Sequence, residues 1–183
     1  MKNSIKLLGL IFMSVLLFTA CNNNPSLQKY YVDSKEKAEF ISVDLPASII
    51  QLKEGDVSEE VKTTLNTIKK VNFLALQVTE DNKEMFESEK TKVKAILKNP
   101  KFKELIRMNR GSGSVSVNYL GEENAIDEVV IYGSDNTKGF ALVRVLGENM
   151  NPSDILKITN EIKLDNDSQQ LKQLEGIFKN ISK

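Results

Sequence analysis

From residue 38 onward the chain switches repeatedly between a period of two and a period near 3.6. Residues 38–45 (AEFISVDL) alternate, placing Phe40 and Ile41 on opposite faces, and read as a strand. Pro46 then opens a short helical turn through Leu52. Asp56-Val57-Ser58-Glu59 has the spacing of a capping box, and Val61, Leu65 and Ile68 follow at helical intervals. Residues 71–79 (VNFLALQVT) are almost continuously apolar, as a central strand covered on both faces would be. Helical spacing returns over residues 83–98, with Phe86, Val93, Ile96 and Leu97 as the apolar stripe. Asn99-Pro100 fits an N-cap followed by proline at the first helical position, which predicts a further helix with Phe102, Leu105 and Ile106 facing the core. Gly111-Ser112-Gly113 ends it. Residues 114–120 (SVSVNYL) alternate cleanly, and residues 126–132 and 140–146 make two more strands around a turn at 133–139. Two helices close the chain, one over 152–162 and one after Asp165-Asn166-Asp167 carrying Leu171, Leu174, Ile177, Phe178 and Ile181.

Three consecutive strands late in the chain, with helices grouped elsewhere, point to an α+β fold rather than a parallel doubly wound sheet. The expectation is a single two-layer domain, a mostly antiparallel sheet of about five strands packed with helices. One strand departs from the usual two-layer pattern. In 140–146, Ala141, Val143 and Val145 point one way while Phe140, Leu142, Arg144 and Leu146 point the other, so both faces are apolar. Either the C-terminal helices cover the second face, or Phe140, Leu142, Arg144 and Leu146 form a candidate interaction surface. Arg144 among such neighbours is an edge residue or a partner of Glu128 across the hairpin.

Ahead of the domain the pattern is different in kind. Lys2 and Lys6 precede an uncharged run over residues 7–20, too short to span a bilayer but the right length for the core of a secretory signal. The run closes Leu17-Phe18-Thr19-Ala20-Cys21, and Cys21 is the sole cysteine. This resembles a bacterial lipoprotein box, with Phe18 standing where leucine is usual. The expected organisation is a signal peptide over 1–20, a lipidated flexible tether over 21–36 starting at Cys21, and the α+β domain over 37–183. Two or more acyl chains, at about 0.8 kcal/mol per buried methylene, would hold the protein to a membrane. Asn22-Asn23-Asn24-Pro25-Ser26 carries no acidic cluster of the sort that often follows the lipidated cysteine of surface-exported lipoproteins. The expected address is therefore the cell envelope, lipid-anchored at the outer membrane and facing the periplasm.

Composition then narrows the chemistry. Acidic and basic residues balance at 25 each, and no basic footprint exists for nucleic acid. Histidine and tryptophan are absent. Without histidine or a free cysteine, Ser-His-Asp, Cys-His and ordinary zinc arrangements cannot be built. Asp165-Asn166-Asp167 begins like a calcium loop, but the sixth and twelfth positions are Gln170 and Gly176 where glycine and glutamate are required. Gly111-Ser112-Gly113-Ser114 lies between a predicted helix and a strand, the reverse of a phosphate loop. Glu122, Glu123 and Asp127 are candidate paired carboxylates in a polar turn. No metal, no cofactor and no catalytic residue is expected.

The lipoprotein box, the strand leading into a proline-containing turn, the segment IKKVNFLALQ and the segment FKELIRMN followed by three strands together resemble a Bacteroidetes lipoprotein family. It is domain of unknown function 4252, and the likeness runs over residues 29–162. The resemblance implies no activity, cofactor or site residue. It does imply an association with genes for extracytoplasmic-function sigma factors, and so with envelope stress or signalling. The functional expectation is a membrane-anchored, non-enzymatic protein-interaction module with an envelope protein as partner. The alternative is a periplasmic lipoprotein that binds a small molecule or lipid, and a third reading is an enzyme working through carboxylates alone.

Overall fold

A computed structural model describes residues 26–47, 50–52, 59–123, 125–151 and 162–164. Among the described residues, eight strands and three α-helices are arranged as α1 (Leu27–Lys35), β1 (Phe40–Pro46), β2 (Ile50–Leu52), α2 (Glu59–Thr67), β3 (Ile68–Gln77), α3 (Lys83–Leu97), β4 (Lys103–Arg110), β5 (Gly113–Glu122), β6 (Ala125–Asp135), β7 (Gly139–Met150) and β8 (Ile162–Leu164). Six strands form one sheet in the order β1-β3-β7-β6-β5-β4, with every neighbouring pair antiparallel, while β2 and β8 pair separately. The fold is α+β, with one strand more in the main sheet than the sequence led us to expect.

β3 and β7 occupy the middle of the sheet, which is why both read as apolar on two faces. On the first face, Phe40, Leu74, Leu76, Val130, Tyr132, Phe140 and Leu142 meet Leu27, Tyr30 and Tyr31 of α1 and Phe86, Val93 and Ile96 of α3. On the second face lie Val43, Phe73, Ala75, Val117, Val129 and Val145, with Leu65 of α2 packed at the end where β3 begins.

Three sequence expectations are corrected. Residues 27–35, assigned to the tether, form α1, with Ser26 as N-cap accepting from the amide of Lys29 and with Leu27, Tyr30, Tyr31 and Ser34 buried. The helix expected after Asn99-Pro100 is β4. Asn99 does accept from the Lys101 amide through its side chain, but Phe102 N–H closes back on the Asn99 carbonyl at 2.9 Å and the chain leaves in an extended path. A bulge between Glu104 and Ile106 explains the misleading pattern, because both Leu105 and Ile106 pack against the same cluster. The turn expected over 46–52 ends in β2, which pairs with β8 at the boundary of the expected helix over 152–162. The rest of that helix, the one after Asp165-Asn166-Asp167, and most of the capping box at 56–59 lie outside the described residues.

Candidate functional site

Phe140, Leu142 and Arg144 are exposed by only 4%, 0% and 2%, so they do not form an open interaction surface; Leu146 is half-buried on the same face. α1 and α3 do the covering, elements other than the C-terminal helices expected from the sequence. The Phe140 ring lies 6.2 Å from Phe40 edge-on, 6.1 Å from Phe86 in a stack and 5.8 Å from Tyr132. Arg144 donates to both carboxylate oxygens of Glu128, at 2.7 and 3.0 Å, which is the cross-hairpin pairing named from the sequence. Its Nη1 donates to Gln28 Oε1 at 2.7 Å, and its guanidinium lies 5.9 Å from the centre of the Tyr31 ring. The Tyr31 hydroxyl donates in turn to Asp44 Oδ1 at 2.6 Å, while Lys70 reaches Asp44 Oδ2 at 3.1 Å and Asn72 donates to the same carboxylate. Burial opposes ionisation of Asp44, but the Tyr31, Lys70 and Asn72 donors outweigh it and hold the carboxyl below its ordinary range. This chain of polar contacts locks the first half of α1 to β1, β3, β6 and β7.

The other half of α1 sits on a second polar group. Glu89 of α3 accepts from Lys37 at 3.3 Å and Lys92 at 2.9 Å. Burial opposes its ionisation, yet Lys92, the nearby Tyr30 hydroxyl and Lys37 lower its pKa. Tyr30's hydroxyl faces Glu89 without closing a bond of normal geometry, and Ser34 Oγ and Tyr132 Oη also lack partners among the described residues. Burial first, then the Glu89 charge, raises the Tyr30 phenol; burial pushes Tyr132 up to about 12. These are internal seams between helix and sheet.

The remaining sequence candidates lie at or beside hairpin turns. Glu122, Glu123 and Asp127 are all exposed, and Glu122 is placed 4.0 Å from Lys103 across the β4–β5 edge. No group of three or more metal-binding side chains occurs among the described residues. Gly111-Ser112-Gly113 is a strand-to-strand turn, with Gly111 at φ +57° and Ser112 donating to Asp135 at 2.8 Å. Asp135 also caps the next turn, and the Thr137 hydroxyl and amide followed by Ser112 hold its carboxyl well below the usual range. Cys21 lies outside the described residues.

The arrangement that can receive something is on the second face. Cross-strand partners there form a row, Ile41, Ala75, Ala141, Gly133, Val115 and Met108, one from each strand of the sheet. Where the row narrows to Ala141 and Gly133, the missing side-chain volume leaves an open groove of about 500 Å³. Phe73 and Val115 wall it, Met108 stands at its rim on the free edge strand, and Asp135 and Lys138 flank its end at the β6–β7 turn. Met108 is 58% exposed and Val115 36%. A Cβ built on Gly133 would meet Val115 Cγ2 at 3.8 Å, an ordinary contact, so that position is empty for want of a side chain and not for want of room. Sequence reasoning missed this groove because Gly133 read as the start of a turn. The signal was there in a glycine opposite an alanine, both on apolar positions of paired strands.

Among the described residues no helix is long and apolar enough to cross a membrane. The model of a family designated domain of unknown function 4252 matches residues 30–158, and the chain belongs to that family. No curated protein and no solved structure matches the chain.

Proposed function

We propose that this member of the family is an envelope lipoprotein, anchored through Cys21, whose folded domain is a non-enzymatic interaction module that takes an apolar segment of an envelope protein into the groove on its second sheet face. The observation that carries the reading is that groove, with Met108 and Val115 exposed beside a floor of Ala141 and Gly133. Exposed apolar area gathered in one concave place is the usual mark of a binding surface. Its shape supports a peptide segment, since sites for small molecules enclose most of the ligand and this one is an open trough. The absence of histidine and the exposure of Glu122, Glu123 and Asp127 at a hairpin turn support a role without catalysis. The apolar lining also supports a second reading, a lipoprotein that holds an acyl chain or small apolar molecule.

The test is crosslinking in intact cells of the native host, with a C-terminal tag, followed by mass spectrometry of what purifies with the protein. Gly133→Val fills the groove while leaving the core untouched, and Cys21→Ala removes the lipid. A partner crosslinked to the wild type and lost with both variants is the expected result. Retention of the same partner by a folded Gly133→Val protein would sink the groove as the contact surface.

A further inference from the structure

The start of α1, capped by Ser26 five residues after Cys21, and the groove lie on opposite faces of the sheet. Gln28, in the first turn of α1, touches Arg144, whereas Lys37, just past its end, closes on Phe40. The Phe40 row of the sheet continues through Leu76, Phe140 and Ser134 to the β6–β7 turn. α1 therefore runs along the strands on the first face, starting over Arg144 near the middle of β7. The groove opens on the second face, toward the β6–β7 turn, around Gly133, Asp135 and Lys138. From the Arg144 row to the Ala141 row is three strand residues, about 10 Å at roughly 3.4 Å each. Layers pack about 10 Å apart, so Ser26 and the groove are roughly 14 Å apart straight through the sheet, whereas a route around its nearer edge, two strands from β7 to β1 at about 4.8 Å each and then one layer down, is about 20 Å.

Only five residue steps join Cys21 to Ser26, and five steps span at most about 17–18 Å when fully drawn out. A groove pressed against the bilayer would place Ser26 on the far side of both layers, with no slack in those steps. The relaxed arrangement puts the first face, where α1 begins, toward the membrane. Resting on the anchoring proposed above, we infer that the groove is held away from the protein's own bilayer, and that its occupant is an apolar segment of a protein arriving from the aqueous side, not a lipid of the anchoring leaflet. The mixed rim agrees with this, since Asp135 and Lys138 offer a polypeptide one charge of each sign at the groove's end.

The experiment uses full-length lipidated protein purified from membranes and reconstituted in phosphatidylethanolamine–phosphatidylglycerol vesicles. With Cys21 acylated, a single introduced cysteine carries the fluorophore, at the groove rim in Met108→Cys or beside Glu128, near the start of α1, in Asp127→Cys. Quenching by nitroxide on the lipid headgroups should be strong for the Asp127→Cys label and weak for the Met108→Cys label, with soluble iodide giving the reverse order. Equal or stronger lipid quenching at position 108, from headgroup or acyl-chain nitroxide, would overturn the inference and promote the lipid-binding reading. Flotation separates the two layers of argument. Protein that fails to rise with the vesicles overturns the anchoring itself, and the inference falls with it.

Discussion

At the scale of single residues, Arg144 of β7 ties α1 and β6 together on the first face. Its guanidinium is buried, clamped on both oxygens of Glu128 and donating to Gln28. A buried pair of this kind adds little over a well-packed apolar one, because taking two charges out of water offsets most of their attraction. Breaking it is another matter. Arg144→Ala leaves Glu128 buried without its cation and should cost about 3–5 kcal/mol, whereas Arg144→Met combined with Glu128→Leu should restore most of that stability. Urea denaturation of the three proteins decides it, and a double variant as unstable as Arg144→Ala would show that shape rather than charge sets the loss.

At the scale of elements, the glycines that shape the hairpins have unequal tasks. Gly139 begins β7 at φ +122°, and a Cβ there would come within 2.1 Å of the Leu76 carbonyl oxygen in β3. Gly111 turns β4 into β5 at φ +57° with nothing near its missing Cβ. Gly111→Ala should therefore lose only the about 1–2 kcal/mol that a left-handed conformation costs a residue with a side chain. Gly139→Ala must in addition push β7 off β3 at the centre of the sheet, and its thermal midpoint should fall by several times as much. Equal losses would mean that conformation alone, not the approach of β3, demands glycine at position 139. β5, β6 and β7 were legible in the sequence because alternation and turn residues coincide there. β4 was not, since its bulge sets Leu105 beside Ile106 on one cluster and so imitates a helical pair. α1 was hidden for a different reason. Its nine residues carry Leu27, Tyr30, Tyr31 and Ser34 on the buried side, so two tyrosines and a serine stand where a sequence reader looks for leucines. The groove was illegible because it is made by what two strands lack, at Gly133 and Ala141, and only their register brings those positions together.

At the scale of the whole molecule, α1 ties the N-terminal side of the domain to the integrity of the sheet. A chain beginning at Lys37, where the sequence alone would start the domain, loses the burial of Leu27, Tyr30 and Tyr31, each worth about 1.5–3 kcal/mol. That loss rivals the about 5–15 kcal/mol that holds an ordinary domain folded. A chain beginning at Ser26 should therefore express as a soluble, cooperatively melting protein, and one beginning at Lys37 should not. Acid attacks the same joint. Asp44 anchors Tyr31, Glu89 anchors Lys37, and both carboxyls have folded pKa values below their ordinary ones. A depressed carboxyl contributes stability that is present above its unfolded pKa, about 4, and is lost as pH falls through the folded value. The urea midpoint should accordingly hold steady down to about pH 5 and drop toward about pH 3. Asp44→Asn keeps the shape but cannot ionise; it should begin with a lower midpoint and show a shallower acid slope. An unchanged slope in that variant would place the acid sensitivity outside the α1 joint.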